Sequence, residues 1–459
     1  MGSPCIWSTK WSQRRAASHS DLCDLSEVRS EVADILRQLL MRTIRGPKPP
    51  HLLFELITSK RQSAYLIDRG DQAVILYDLS QSMALKRLLD FVEADRPYDE
   101  IAKLYAACAG LSVADESPAL CAALLSMPVP QEGEYLHNLG DLLAHYQAFK
   151  ATLPGLMFEW KSSLVDGYLL AHEMAHFLWK HPDELMTRLK SGAESAFEYA
   201  LGQVCYENQP NFADIAQHWG ELPKGPEELE KLRRDLVNRR RSHEAKRNHL
   251  IEEIACDAYA LLMVSVIHMS VWQPKTDDYE AVLEGYLRFA QTFFLIVALS
   301  DLHQAMIRRA KHSVASGIET EKPADIADMH FRKMALIYSM TGNAMTCLPE
   351  RLRQVEAFPT VLQGVQSVIV GLKDSFGALI AIPVTRLIRA QLLAFERQPK
   401  PAIHSEQPWH QKLAVAFGRD RPPLTYTESA VNALIGSAEG SPDSHTSRRG
   451  RRPRSASRR

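Results

Sequence analysis

The stretch that most constrains this chain is Leu169 to Leu178, LLAHEMAHFL, an HExxH pattern set inside an apolar helical run. On an α-helix, residues four apart stand one above the other, so His172 and His176 can direct both imidazoles at a single metal ion. Glu173 lies beside them, where a carboxylate can take a proton from a water activated by zinc and pass it to a leaving amine. No charged residue other than Glu173 lies between Asp166 and Lys180, as an active-site helix packed on a core requires. The alternative is a core helix whose histidines are satisfied by hydrogen bonds. That would demand a separate buried partner for each of the three polar groups.

Two histidines leave a tetrahedral site incomplete. A metzincin would need Gly at 179 and His at 182, but the chain has Trp179 and Pro182. His181 stands immediately before that proline, where the helix is expected to end, and reads as a solvated helix-end residue. The better source of a third ligand is the later run from Glu252 to Leu262, EEIACDAYALL. Ile251, Ile254, Ala258 and Leu261 form one helical stripe there, and Glu253, Asp257 and Ala260 a second beside it. Asp257 is the one charge between Ala255 and Val264, and a buried carboxylate of this kind needs a partner. The free N–H of a zinc-bound imidazole would be one.

HExxH followed by Glu-x-x-x-Asp in a later Ala-rich helix resembles the gluzincin-type zinc metallopeptidases. These include the ImmA/IrrE-type anti-repressor peptidases, the CAAX-processing type and the Lit phage-exclusion peptidases. The resemblance covers residues 160 to 270. It implies one Zn2+ per chain, with His172, His176 and Glu253 as ligands, Glu173 as general base and Asp257 behind a ligating histidine. It further implies that His330 and Arg332, in Asp328-Met329-His330-Phe331-Arg332, help to hold the substrate or the oxyanion, although Phe331 stands where such peptidases commonly have Pro. Tyr259 and Tyr338 are the alternative oxyanion donors. Cys256 replaces the more usual Ala and leaves a thiol near the metal. Of the two adjacent glutamates, Glu253 shares its face with Asp257 and Ala260. Glu252 points about 100° away and is expected to contribute little to metal binding.

The implied activity is hydrolysis of a protein or peptide substrate by an endopeptidase, with a role in phage defence suggested by the resemblance. The rival reading is an inactive interaction scaffold that keeps the metal site for stability. At 459 residues and 46% hydrophobic, the chain has room for a core and several subdomains, and a net charge of −1 gives no global attraction to nucleic acid or membrane. Nucleic-acid binding rests only on the basic insert and tail. Seven scattered cysteines without a CxxC pair read as reduced thiols, so a cytoplasmic location is expected. The N-terminus carries Trp7, Lys10, Trp11, Arg14 and Arg15 without an apolar signal core, and the apolar run Phe289 to Leu299 is too short to span a bilayer.

The expected fold class is α+β and mainly α-helical, a zincin-like core with a small antiparallel sheet in the N-terminal half. Its strands are Leu52 to Ile57, Ala64 to Ile67 and Ala73 to Tyr77, and the resemblance implies that the sheet edge holds a substrate peptide as an added strand. Residues 1–25 read as a disordered N-terminus and 26–160 as an α+β subdomain. The zinc-binding helices occupy 161–275, with a charged insert at 207–250, followed by a C-terminal helical subdomain at 276–397 and a Pro/Ser/Arg-rich, largely disordered tail at 398–459. Periodicity predicts helices at 27–45, 82–93, 97–109, 116–126, 133–152, 162–180, 183–206, 227–249, 277–315, 325–341 and 348–396. His243-Glu244 reads as surface, because Arg247 stands where a second HExxH histidine would be needed.

Overall fold

A computed structural model describes residues 51–57, 59, 61–68, 72–93, 97–126, 161–204, 226–271, 279–316, 324–347 and 358–397. The helices expected at 27–45 and 133–152, and both terminal segments, lie outside these residues. The fold is mostly helical with one small sheet, in which β1 (His51–Ile57), β2 (Tyr65–Asp68) and β3 (Gln72–Asp78) have the order β1-β3-β2. The β2–β3 pair is the expected antiparallel hairpin, but β1 joins β3 in parallel, so the sheet is mixed. The physical reason lies in β3. Ala73, Ile75 and Tyr77 are buried toward the helices while Leu76 is buried on the other face with Ile57. A strand covered on both faces belongs in the centre, and the chain leaving β1 therefore passes over it to reach the far edge.

That crossing segment is pinned by Asp78. Its carboxylate accepts from the backbone N–H of Ser59, Ser63 and Ser80 and, at very short range, from the Ser59 hydroxyl. Burial still pushes the Asp78 carboxyl up to about 6, the hydrogen bonds opposing it. Gln62 takes a left-handed φ of 49° here and is held by its Nε2 donating to the Cys108 carbonyl at 2.8 Å. The consequence is a fixed position for Ser63 to Leu66, which reach the functional site.

The helices follow in chain order: α1 (Leu79–Glu93), α2 (Pro97–Ser112), α3 (Pro118–Leu125), α4 (Lys161–Lys180), α5 (Glu184–Val204), α6 (Pro226–Ala245), α7 (Arg247–Val271), α8 (Tyr279–Ser316), α9 (Ala324–Cys347), α10 (Phe358–Phe376) and α11 (Ile382–Arg397). Local chemistry sets several of these ends. Ser117 caps α3 ahead of Pro118, and the Asp183 carboxylate accepts the Met186 N–H at 2.7 Å to start α5 just after Pro182 has ended α4. The single helix expected from 348 to 396 is divided by a π-helical turn, Gly377–Ala381, two residues before Pro383, whose missing N–H removes a donor from the ladder. One continuous hydrophobic core runs from β3 through the helices to α11. The segment Glu284–Ala315 of α8 is long and apolar enough to cross a membrane, but 94% of its most apolar window is buried inside the protein.

The functional part rests on the packing of α4 against α7. Gly167 permits their close approach, since a β-carbon there would sit 3.3 Å from a Val264 methyl. Ala260 on α7 is fully buried, as its place on the Glu253 stripe requires. The other side of α4 is locked by Asp166, which accepts from the Tyr77 and Ser82 hydroxyls and pairs with Lys86 at 2.7 Å. A helix held from both sides carries its histidines rigidly.

Candidate metal centre

Three side chains from α4 and α7 converge. His172, His176 and Glu253 each offer one ligand atom, all within 4.8 Å of one another, and form a group that could hold a metal ion. Each Nε2 faces the same carboxylate: His172 Nε2 lies 3.6 Å from Glu253 Oε2, and His176 Nε2 lies 3.6 Å from Oε1. The opposite ring nitrogens are backed by two further carboxylates of α7. His172 Nδ1 is 3.0 Å from Asp257 Oδ1, close enough for a charge contact though off the line of a good hydrogen bond. His176 Nδ1 is 2.9 Å from Glu252 Oε1. A carboxylate behind each imidazole fixes the tautomer with Nε2 free for a metal, the usual arrangement around ligating histidines.

Glu252, expected to contribute little to metal binding, lies outside the candidate ligand group yet touches the back of the His176 ring. The adjacent glutamates do diverge by about 100°, but the His176 ring projects between them and its two nitrogens meet one carboxylate each. The expected position of Asp257 behind a ligating histidine agrees with the geometry. His181 is exposed, stacks near Phe177 and takes no part in the group.

Arg332 enters the site as a clamp. Its guanidinium bonds Asp257 through Nε and Nη2 at 2.8–3.2 Å, lies 3.3 Å from Glu253 Oε2 and reaches Asp301 Oδ1 of α8 at 2.9 Å. Three carboxylates around one buried guanidinium keep it charged and leave it little freedom to turn toward a substrate. His330 belongs to α9, but its side chain lies outside the described residues. Tyr259 is fully buried and Tyr338 is 40% exposed, and neither lines the cavity at the site. Cys256 is a buried thiol, pushed well up by its burial, and Cys108, Cys121 and Cys256 form no disulfide.

The electrostatics of the site follow from this crowding. Burial opposes charge on His172, but Asp257 and Glu253 overcome it and raise the imidazole to about 10. His176 is lowered, first by burial and then by charged His172, against the pull of Glu253 and Glu252. Glu253 and Asp257 are held below the usual carboxylate range, Arg332 outweighing other favourable contacts in opposing their burial. Glu173 is raised to about 8 by burial, with His172 lowering it, Glu253 raising it and the Leu66 backbone N–H lowering it. A divalent cation beside Glu173 would favour its ionised form.

The cavity over this group encloses about 420 Å³. One wall is β2 and the segment before it, Ser63 to Leu66, and the floor is α4 and α7 with His172, Glu173, His176, Glu252 and Glu253. A further wall is a face of α8 carrying Ser300, Asp301, Gln304 and Arg308, with Gln304 donating to the Gln62 carbonyl at 2.7 Å; sequence reasoning missed it. The signal was present in Asp301, a lone carboxylate ending an apolar run, the same feature that picks out Asp257. His243 is a further correction: it is 1% exposed and stacked on Phe331 at 4.5 Å, so it anchors the charged α6 instead of facing solvent. Arg234, Arg240 and Arg241 of the same helix are exposed. No protein-family model matches the chain, and no curated protein or solved structure was found to resemble it.

Proposed function

We propose that the chain is a zinc-dependent peptidase whose reacting centre is the His172, His176 and Glu253 group. The observation that carries this reading is the paired geometry: two Nε2 atoms 3.6 Å from the two oxygens of one carboxylate, each ring backed by a further carboxylate. Two imidazoles and one carboxylate are the donor set of a catalytic zinc site with a position left for water, and three acids in contact with two histidines are costly to bury without a cation between them. Bound zinc would supply Lewis acidity, making water nucleophilic at neutral pH.

The chain's own groups supply the rest. Glu173 lines the cavity next to the ligands and is placed to accept the proton of the attacking water and return it to the amine as the C–N bond breaks. Arg332, itself anchored by Asp301, holds the ligand carboxylate from behind. Among the described residues no strand lies beside the outer edge of β2, and Ser63 to Leu66 line the cavity, which supports a peptide laid along that edge. Free buried thiols fit the same reading of an enzyme working in a reducing compartment.

The test is Glu173→Gln in the zinc-loaded full chain. It should retain zinc and lose peptide hydrolysis by at least about a hundredfold, the scale of a general base. Hydrolysis at the wild-type rate would remove Glu173 from the mechanism. Hydrolysis by neither form, with zinc bound in both, would leave the centre as a structural metal site.

A further inference from the structure

The α8 wall of the cavity carries a polar face that the peptidase reading alone does not use. Asp301, Gln304 and Arg308 recur at intervals of three and four residues, so they stand on one face of α8 and all line the cavity. Asp301 marks the end next to the metal group, because Arg332 Nη1 joins it at 2.9 Å to Glu253 at 3.3 Å. Its Oδ2 is buried and has no hydrogen-bond partner. Arg308 marks the other end. Two helical turns separate the two, about 10 Å at 1.5 Å per residue, which an extended peptide covers in about three residues.

Arg308 differs from arginines elsewhere on the surface. Arg188, Arg240, Arg247 and Arg288 each reach a glutamate. Arg308 is exposed on the cavity wall, and no carboxylate of the described residues pairs with it. Two turns along α8 from Asp301, Arg308 is a cation set apart from the acids Glu173, Glu252 and Glu253 of the floor. Arg308 at this end of the cavity attracts a substrate carboxylate.

Resting on the peptidase reading, we infer that Arg308 is a specificity-determining residue that takes a substrate carboxylate about three residues from the bond cleaved. The carboxylate is either an acidic side chain or the C-terminus of the peptide. The contact is partly solvated, so its worth is a preference of about five- to tenfold rather than an absolute requirement.

The experiment uses the zinc-loaded full chain and four pools of synthetic octapeptides. Three are C-terminally amidated, with Asp, Asn or Lys fixed at one internal position and the other positions random among uncharged residues; the fourth carries the Asn and a free C-terminus. Retention on the Glu173→Gln protein is read by mass spectrometry, and cleavage by the wild type maps the bond. The Asp pool, the free-carboxylate pool or both should be retained about five- to tenfold more than the amidated Asn pool, and which of them it is identifies the source of the charge. Arg308→Glu should keep its zinc and transfer the preference to the Lys pool. Equal retention of all pools, retention of none, or an Asp preference that survives Arg308→Glu overturns the inference. A charge preference in binding without cleavage of any pool would instead count against the peptidase reading and leave the role of Arg308 standing.

Discussion

Removing the carboxylate behind each histidine, by Asp257→Asn and by Glu252→Gln, should weaken metal binding without taking away a ligand. Such outer carboxylates typically contribute ten- to a hundredfold in affinity, about 1.4 to 2.8 kcal/mol. The structure orders the two within that range. The Asp257 side chain is 3% exposed and lies 3.0 Å from His172 Nδ1, whereas Glu252 is 26% exposed at 2.9 Å from His176 Nδ1. Solvent can replace part of what Glu252 does, so Glu252→Gln should cost about tenfold and Asp257→Asn nearer a hundredfold. Because the two rings lie 5.0 Å apart and both face Glu253, the two losses should not simply multiply, and the double variant reads the coupling between them. Competition for zinc against a fluorescent chelator at fixed pH and salt reads all three, with the melting temperature of the metal-free proteins checking that each still folds. Wild-type affinity in both single variants would refute the reasoning, since the carboxylates would then be ordinary polar edges of α7.

Arg332→Met should destabilise the metal-free protein by about 3–5 kcal/mol, because it strands the carboxylates of Asp257, Glu253 and Asp301 in a buried site; chemical denaturation measures it, and an unchanged midpoint would contradict the clamp. Arg332→Lys should recover only part of that loss, a point charge being unable to fork onto Asp257. His268 and His303 are buried and lowered to about 4 by that burial, against an ordinary 6.5. The unfolded chain therefore takes up these protons first, and stability that is full above pH 6.5 should fall as the pH drops toward 4, by up to about 3 kcal/mol for each group. Urea unfolding at pH 7 and pH 5 should show the loss, and a flat profile would count against it. Gly167→Leu should push α4 off α7 at Val264 at a cost of about 1–3 kcal/mol and lower zinc affinity with it, whereas Ala should be nearly tolerated; equal affinities in Gly, Ala and Leu forms would show that this contact does not set the site.

Much of the helical framework was legible because period 3.6 is a local signal: α4, α5, α8 and α9 lie close to where the apolar spacing puts them. The pairing of β1 was not, since whether a strand joins in parallel depends on which neighbour is buried on both faces, a property of the assembled layers. In the site, His172, His176, Glu253 and Asp257 were readable from one helix face each. The contact of Glu252 with His176 was not readable, because a single-helix argument assigns each residue a direction but does not show that a ring from another helix will stand between two directions. Arg332 was noticed as a substrate or oxyanion contact and it does line the cavity, but its pairing with Asp257 and Asp301 was not legible, because those acids come from α7 and α8, distant in sequence. His243 reads as surface in a run of charges, and only the docking of α6 beside Phe331 buries it.

The central claim is that His172, His176 and Glu253 hold one metal ion, and elemental analysis of protein purified without an affinity metal column tests it most directly. The account predicts about one zinc per chain after zinc supplementation, falling to background in the His172→Ala, His176→Ala double variant. No transition metal in the supplemented wild type, or equal metal in the double variant, would contradict it.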